Sequence, residues 1–183
     1  MDVNPQAQIV LDFWFSELKP KQWWQVDFTL DAEIGKRFGE LHGQARQCEL
    51  YDWRDTAAGR LAEIIVLDQF SRNMYRNTLD AFAQDPLALG LAQSAVDNRA
   101  LTQLSQQQGA FLLMPFMHSE SKLIHEQALL LFTQLGNEDN LSFELRHKAI
   151  IDRFGRYPHR NEILGRASTT EELEFLQQPG SSF

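Results

Sequence analysis

The sequence has few of the features that hold together a small secreted domain or anchor a chain in a bilayer. Its 183 residues include one cysteine, Cys48, which excludes an internal disulfide and is typical of a reducing compartment. No apolar run approaches the roughly 18 residues that a transmembrane helix requires. The first residues, MDVNPQAQ, carry no positive stretch ahead of an apolar one. The sequence therefore predicts a cytoplasmic protein without a membrane partner.

Motifs for metal, nucleophile or cofactor chemistry are also missing. His118 and His125 are seven residues apart, and His125-Glu126 lacks the second histidine of a His-Glu-x-x-His zinc site. No Gly-x-Ser-x-Gly elbow occurs, and the glycines fit neither a phosphate loop nor a dinucleotide fingerprint. Cys48, in ARQCELYDW, has no activating neighbour. We therefore predict no metal and no cofactor.

Signals for β-strands are nearly absent, because the chain has no alternating run of β-branched residues and no Asn-Gly or Asp-Gly hairpin turn. Helix signals recur instead. Asn4-Pro5 and Asp85-Pro86 each predict an N-cap followed by proline, and Gly136 and Gly155 stand at predicted helix ends. Apolar spacing then predicts about eight helices, at 5–18, 28–47, 57–75, 85–99, 105–117, 119–135, 140–154 and 169–177.

The predicted fold class is all-α, a single-domain bundle or superhelix over residues 1–183. A capping box, Ser168-Thr-Thr-Glu171, predicts the start of the last helix. The core is expected over about residues 5–177, and residues 178–183 are expected to form a loose tail. No low-complexity linker divides the chain, and no convincing 34-residue tetratricopeptide repeat is found.

Positive charge is concentrated in one segment of an acidic chain. The net charge is −8, which argues against non-specific nucleic-acid binding, yet residues 146–166 hold six Lys/Arg and only two acids. Arginine forks suit carboxylate and phosphate oxygens, and a helical turn predicted to begin at Glu162 would add N–H groups that favour anions. The segment is either an anion-recognition corner or a set of arginines that bridge helix carbonyls and nearby acids. Its candidate ligand-binding residues are Arg153, Arg156, Arg160 and Asn161. RNA binding is not predicted, because Tyr157 is the one aromatic platform there.

Asp68 and Arg72 are four residues apart in the apolar stretch RLAEIIVLDQFSRNMYR, so they are expected to approach the interior together. Buried charges are unfavourable unless they are paired. One interpretation is a structural ion pair that ties helices together. In the other, Arg72 and Asn73 line a polar pocket and Asp68 supports them.

The stretch LLMPFMHSE predicts a helix junction. Pro115 is expected to break or kink the first helix, and Ser119 to cap the next one, which leaves His118 and Glu120 at the junction. His118 is a candidate general base with Glu120 orienting it; the alternative is a partly buried histidine that satisfies a backbone carbonyl. His159 is a second candidate for proton transfer.

Trp23 and Trp24 lie together between two predicted helices. Either both fill the core, or one packs inward while the other covers a cleft or stacks on a ligand. We take Trp23 as a candidate ligand-binding residue.

The order of these segments resembles a known bacterial family, the domain of unknown function 924. The resemblance covers about residues 8–177 and is carried by VLDFWF, WW…D, RLAEIIVLDQFSRNMYR, DPLALGLA, LMPFMHSE and IIDRFGRYPHRNEILGRASTTEE. It implies an all-α fold similar to the tetratricopeptide-like superhelical proteins, and it carries over no catalytic role. Trp24 departs from the phenylalanine expected there. The family's motifs correspond here to Asp68, Gln69, Phe70, Arg72 and Asn73, to Pro115, Phe116, His118, Ser119 and Glu120, and to Arg153, Phe154, Gly155, Arg156, Pro158, His159, Arg160 and Asn161.

Together these segments predict a pocket for a small anionic ligand, a carboxylate or a phosphate. Arginines would hold the anion, His118 and His159 would supply hydrogen bonds or transfer protons, and Asp68, Asn73 and Glu120 would hold the donors in place. Whether the protein is an enzyme is left open, as is homo-oligomer formation. The alternative is a tetratricopeptide-like module that binds acidic peptide segments along an open groove.

Overall fold

The computed structural model describes residues 2–182, and this part of the chain consists of helices and turns without a β-strand. The predicted all-α class is confirmed. The α-helices are α1 Pro5–Asp12, α2 Phe28–Arg46, α3 Ala57–Ile65, α4 Ser71–Met74, α5 Asp85–Asp97, α6 Gln106–Met117, α7 Lys122–Leu135, α8 Glu138–Phe154 and α9 Thr170–Leu176. Wider π-helical segments, Phe13–Glu17 and Val66–Phe70, continue α1 and join α3 to α4. Short 3₁₀ segments are Pro20–Trp23, Tyr51–Asp55, Leu79–Ala81, Ala100–Gln103 and Pro158–Arg160.

Most helix boundaries follow the capping signals of the sequence. The Asn4 side chain accepts a hydrogen bond from the first turn of α1, and Gly136 and Gly155 end α7 and α8 in the left-handed conformation that glycine permits. The last helix starts one residue later than predicted, since Thr169 and Glu172 form its capping box. Local chemistry therefore fixes where these helices begin and end.

The junction between α6 and α7 differs from its prediction. Helix α6 does not break at Pro115 but continues through it and ends at Met117. Proline at this position removes one hydrogen-bond donor from the last turn, and the helix ends two residues after it. Ser119 does not cap α7 either: Ser121 occupies the N-cap position, and its N–H donates to the Ser119 hydroxyl at 3.2 Å. The junction is therefore longer than expected.

The main core lies where α1, α2, α3 and α6 meet, and it is rich in aromatic rings. Phe38 and Phe70 have ring centroids 4.8 Å apart, and Trp14 meets Phe111 edge-to-face at 5.6 Å. Residues 61–71 are all buried, so α3 and the π-helical segment after it form the central element. Any charged residue in this segment has to find a partner inside the protein.

A smaller apolar cluster holds the C-terminal part in place. Ile150, Ile151 and Tyr157 are buried there, with Phe154 and Phe175 packed against them. The left-handed turn that follows α8 directs Tyr157 inward, and the next residues then run past the α6–α7 junction. The positively charged segment is thereby placed beside the stretch that contains His118.

Part of the predicted loose tail packs against the end of α9. Of the predicted loose tail, residue 183 lies outside the described residues, whereas Ser181 is buried and its hydroxyl donates to the Leu176 carbonyl at 3.2 Å. No helix within residues 2–182 has the length and apolar character needed to cross a membrane. The tetratricopeptide-like label stays a prediction.

Candidate functional site

The central element of the candidate site is a carboxylate–histidine pair between two distant segments. Asp68, in the π-helical segment, is fully buried, and its Oδ1 lies 2.7 Å from Nδ1 of His118, the residue that follows α6. The π-helical geometry widens the turn at Asp68, a deviation that is frequent at functional sites. The carboxylate that orients His118 is therefore Asp68, and not Glu120 as predicted.

Asp68 is ionised because the surrounding groups outweigh its burial. Burial by itself raises the pKa of Asp68, but the positive charge of Arg72 and the hydrogen bonds from His118 and Gln69 hold it below its ordinary value. Arg72 Nη1 lies 3.1 Å from Asp68 Oδ1. The predicted pair between residues 68 and 72 is thus present as a buried contact.

The protonation state of His118 follows from this arrangement. Burial and the charge of Arg72 lower the pKa of His118, against the opposing effect of Asp68. The ring is therefore neutral at pH 7, and its proton lies on Nδ1, which donates to the ionised Asp68. The lone pair is then on Nε2, the nitrogen that a general base would use.

Asp85 joins two arginines, a role that the sequence did not reveal. Nη1 and Nη2 of Arg72 donate to its two carboxylate oxygens at 2.8 and 3.0 Å, and Arg160 Nη1 donates to Oδ2 at 3.3 Å. As a sequence signal, the Asp85-Pro86 pair predicts a helix cap. Helix α5 instead begins at Asp85 itself, and its carboxylate turns toward the arginines.

Arg160 is the less satisfied of these two arginines. Its guanidinium carbon lies 4.6 Å from the ring centroids of both Phe82 and Tyr157, while its buried Nε has no hydrogen-bond partner within residues 2–182. Burial and the nearby charge of Arg72 lower the pKa of Arg160 from its high ordinary value. The contact with Asp85 is the one hydrogen bond of the Arg160 guanidinium in this part of the chain, although a guanidinium carries five N–H donors.

His118 and Arg160 line the same cavity. Its volume is about 350 Å³, which lies at the lower end of the roughly 300–1,000 Å³ that is usual for small-molecule sites. The cavity is lined by Leu79, Phe82, Ala83, Asp85, Pro86, Leu89, Pro115, His118, Ser119, Glu120, Arg160 and Leu164. Two of the three predicted segments, those that contain His118 and Arg160, both line this cavity. The third segment does not line it, but Asp68 contacts His118 and Arg72 contacts Asp85.

Glu120 holds the C-terminal segment against the α6–α7 junction. Its carboxylate receives the Tyr157 N–H at 2.7 Å and a two-pronged contact from Arg166 at 2.6 and 2.9 Å. Although burial raises the pKa of Glu120, the hydrogen bonds from Arg166 and from the Tyr157 N–H lower it overall. Glu120 is thus ionised and joins the α6–α7 junction to the C-terminal segment. Its partner Arg166 was not among the predicted site residues.

The other predicted arginines pair with acids of α9. Arg156 donates to both oxygens of Glu172 at 2.6 and 2.8 Å, and Arg153 donates to Glu171 at 2.8 Å. The hydrogen bond from Arg156 lowers the pKa of Glu172 to about 2. Neither arginine lines the cavity in the described part of the chain, so their predicted role in ligand binding finds no support in these contacts.

Asn73 and Trp23 also lie away from the cavity. The Asn73 amide donates to Asp31 of α2 at 2.8 Å. The Trp23 indole donates to the Trp14 carbonyl at 2.9 Å and stacks on that ring, so Trp23 belongs to the aromatic packing. Trp24 is 62% exposed and stacks on the Phe111 ring. Trp23 therefore packs inward, and a role for Trp24 in covering a cleft or a ligand stays a prediction.

Asn161 and His159 support the turn that carries Arg160. Asn161 accepts from Arg166 Nε at 3.0 Å and donates to the Ser168 hydroxyl at 3.0 Å. The His159 ring lies 5.8 Å from that of Tyr157, and burial lowers the pKa of His159 to about 4. Within residues 2–182, the lining of the cavity includes neither residue.

A second carboxylate–histidine pair lies deeper in the same region. His125 Nδ1 is 2.7 Å from Glu144 Oε1, and both side chains are fully buried. His125 Nε2 lies 2.8 Å from the Ser119 carbonyl and 3.1 Å from the Tyr157 hydroxyl, which itself donates to the Met117 carbonyl at 2.6 Å. Both ring nitrogens are therefore engaged inside the protein.

One other concavity in the described part of the chain offers less chemistry. A hollow of about 600 Å³ at residues 22–29 has Asp27 as its single charged lining residue in the described part of the chain, and that carboxylate caps α2. No cluster of three or more His, Cys, Asp or Glu residues suited to a metal ion occurs within residues 2–182. The 350 Å³ cavity is therefore the candidate site.

Comparison with known proteins shows a similarity that covers nearly the whole chain. Residues 10–180 match the family described as bacterial protein of unknown function (DUF924). A solved structure of a protein of unknown function from Agrobacterium tumefaciens is 35% identical, with a TM-score of 0.90, over 94% of this chain and 97% of that chain. No curated protein matches. The matched range includes every residue that lines the cavity.

Proposed function

The chain belongs to the DUF924 family, and from the geometry of its cavity we propose that it binds a small organic anion and exchanges a proton with it through His118. The observation that carries this proposal is the 2.7 Å contact between Asp68 and His118 on the wall of a cavity that Arg160 also lines. A base and a cation in one concavity are what such a ligand requires.

His118 is the proton acceptor in this proposal. With Nδ1–H donated to Asp68, Nε2 accepts a proton from the ligand, and the electron pair of the broken bond stays on the ligand. The resulting imidazolium is stabilised by the buried carboxylate of Asp68. The same arrangement would serve an enzyme that removes a proton close to a carboxylate.

Arg160 is the proposed contact for the negative group of the ligand. Because Arg72 already satisfies both Asp85 oxygens, Arg160 can exchange its single long contact for a ligand oxygen without leaving Asp85 unpaired. Its planar fork suits two oxygens of one carboxylate. The rings of Phe82 and Tyr157 limit the rotation of the guanidinium and so reduce the entropy lost on binding.

The charges of the site also favour an anion once His118 is protonated. Asp68 and Asp85 balance Arg72 and Arg160, and Glu120 balances Arg166. Proton uptake by His118 adds one positive charge to a balanced group. Binding of an anion and protonation of His118 should therefore strengthen each other.

Recognition of acidic peptides is the weaker alternative. It requires an open row of free cations, whereas most of the basic side chains after α7 contact acids of the chain itself. Lys148 contacts Glu126 and Asp152, and the arginines at 153 and 156 contact α9. The cavity also has the size of a small-molecule site.

Thermal unfolding with a panel of carboxylates, phosphates and their uncharged amides tests the anion site. At a hundredfold excess over Kd, a ligand should stabilise the wild type by about 2.7 kcal/mol, or roughly 5–10 °C. Arg160→Lys keeps the charge but loses the fork, so the shift should shrink. Arg153→Lys is the matched control and should behave as wild type. If no anion stabilises the wild type more than Arg160→Lys, the anion site is refuted.

A titration of the wild type tests the proton transfer without any variant. We expect the NMR signals of the His118 ring to report protonation on Nδ1 at pH 7, and the pKa of His118 to rise when an anion binds. Binding that leaves the His118 signals unchanged from pH 5 to 8 would contradict the role of this histidine.

A further inference from the structure

We infer that the ligand of this cavity is a monocarboxylate with an apolar body of several carbons, in preference to a phosphate or a dicarboxylate. This inference rests on the proposed function, since it assigns a substrate class to the same site. It is carried by the apolar surface of the cavity and by the distribution of charge along its wall.

Apart from Asp85, the wall of the cavity formed by residues 79–89 is apolar. The segment after α4 and the start of α5 contribute Leu79, Phe82, Pro86 and Leu89, and Leu164 adds a further apolar side chain. A ligand that carried only charged or hydrogen-bonding groups would leave this wall without a partner. Apolar carbons placed against it would be removed from water, which is favourable in proportion to the area covered.

Leu79 marks the edge of this wall. Its side chain is 60% exposed, although it lines the cavity. Folding therefore leaves an apolar side chain in water at the point where a ligand would enter. A ligand body that reaches this edge would cover it.

The charges on the wall allow one negative group and oppose a second. Arg160 is the one cationic residue among the described residues that line the cavity, whereas Asp85 and Glu120 both line it with carboxylates. Their arginine partners Arg72 and Arg166 are already engaged in two-pronged contacts with them. A dianion would therefore bring its second charge toward carboxylates, with no second arginine or lysine among the described lining residues to meet it.

A homologous series of acids tests the inference on the wild-type protein. Dissociation constants of acetate, butyrate, hexanoate and octanoate are measured by calorimetry at one pH and ionic strength. Each added methylene should tighten binding about fourfold, equivalent to ~0.8 kcal/mol, until the cavity is filled. Adipate and butyl phosphate should bind at least tenfold more weakly than hexanoate.

Two exposed leucines provide a matched pair of variants. Leu79→Ser should weaken hexanoate several-fold and leave acetate unchanged. Leu130→Ser is the control, because Leu130 is 64% exposed on α7 and lies outside the cavity lining. Both positions are exposed, so neither variant should unfold.

The outcomes distinguish a failure of the monocarboxylate inference from a failure of the proposed anion site. Arg160-dependent binding of acetate or phosphate without a gain from longer chains overturns the monocarboxylate class and leaves the anion site intact. Tighter binding of adipate than of hexanoate does the same. If no member of the series binds, or if Arg160→Lys binds all of them as the wild type does, both proposals fail.

Discussion

The two carboxylate–histidine pairs of this protein share one geometry and differ in their surroundings. Both place a histidine Nδ1 2.7 Å from a carboxylate oxygen. The His125–Glu144 pair is fully buried and its second ring nitrogen is occupied, whereas the His118 side chain is 12% exposed and lines a cavity. A carboxylate–histidine contact is therefore not a functional sign by itself. What matters is whether the remaining nitrogen can reach a ligand.

The His125–Glu144 pair, here called the sealed pair, has a structural role that the Asp68–His118 pair, the open pair, lacks. His125 connects α7 to Glu144 on α8, and through Nε2 it reaches the α6–α7 junction and Tyr157. Because the Ser119 carbonyl can only accept and the Tyr157 hydroxyl gives its proton to Met117, Nε2 has to carry a proton. Burial raises the pKa of Glu144, against the opposing effect of its contact with His125.

The largest expected effect comes from breaking the sealed pair. Glu144→Ala leaves His125 buried without its partner and opens a void between α7 and α8. We expect a loss of about 3–5 kcal/mol in the free energy of unfolding, measured by urea denaturation. Glu144→Gln, whose amide can donate to Nδ1, should lose clearly less. Equal losses in the two variants would contradict the role given to this contact.

His42 extends the comparison to a buried histidine without a carboxylate. Its Nε2 contacts the Ser71 hydroxyl at 2.8 Å, and burial, with the charge of Arg46 adding to it, lowers the pKa of His42 to about 4. Between pH 6.5 and 4 the unfolded chain binds a proton that the folded protein does not. Stability is thus retained above pH 6.5 and falls toward pH 4.

The contribution of His42 to this acid sensitivity is about 1.4 kcal/mol per pH unit, or roughly 3 kcal/mol over the window. Urea denaturation at a series of pH values measures it. In His42→Leu the dependence should become shallower by that amount between pH 6.5 and 4. An unchanged slope in the variant would show that His42 does not hold this pKa.

Most of the fold could be predicted because helix signals are local. The periodic apolar spacing and the caps at residues 4, 136 and 155 act over one or two turns, and the structure agrees with them within a few residues. The π-helical segment at Val66–Phe70 could not be seen in the same way. It depends on how the central element packs on all sides, which is not a property of a short stretch of sequence.

The site was only partly predictable for the same reason. Asp68 and Arg72 were expected to pair because both lie on one helix. The choice of Asp68 over Glu120 as partner of His118 depends on a contact between residues 50 positions apart. Likewise, nothing local distinguishes Arg156, which turns to α9, from Arg160, which turns to the cavity.

In the open pair, Asp68→Asn should have an intermediate effect. The amide keeps the shape but removes the charge that Arg72 and His118 share, so we expect a loss of about 2 kcal/mol by urea denaturation. Because Asp68 raises the pKa of His118, that pKa should fall further, as seen by NMR. Asp152→Asn, at an exposed carboxylate, is the control and should change stability by less than about 0.5 kcal/mol. A His118 pKa that does not fall would contradict the pairing.

The smallest effect on stability is expected at His118 itself. This variant tests whether the open pair serves ligand binding or only the structure. His118→Gln leaves Asp68 paired with Arg72, and the side chain borders a cavity, so the loss in unfolding free energy should be about 1 kcal/mol or less. The ligand response should suffer more than the stability. We expect anion binding to lose its pH dependence between pH 5 and 8 in this variant, measured by calorimetry. His125→Gln is the matched change in the sealed pair and should lower stability much more. If the two glutamine variants are equally destabilised and equally able to couple binding to pH, the open pair is as structural as the sealed one.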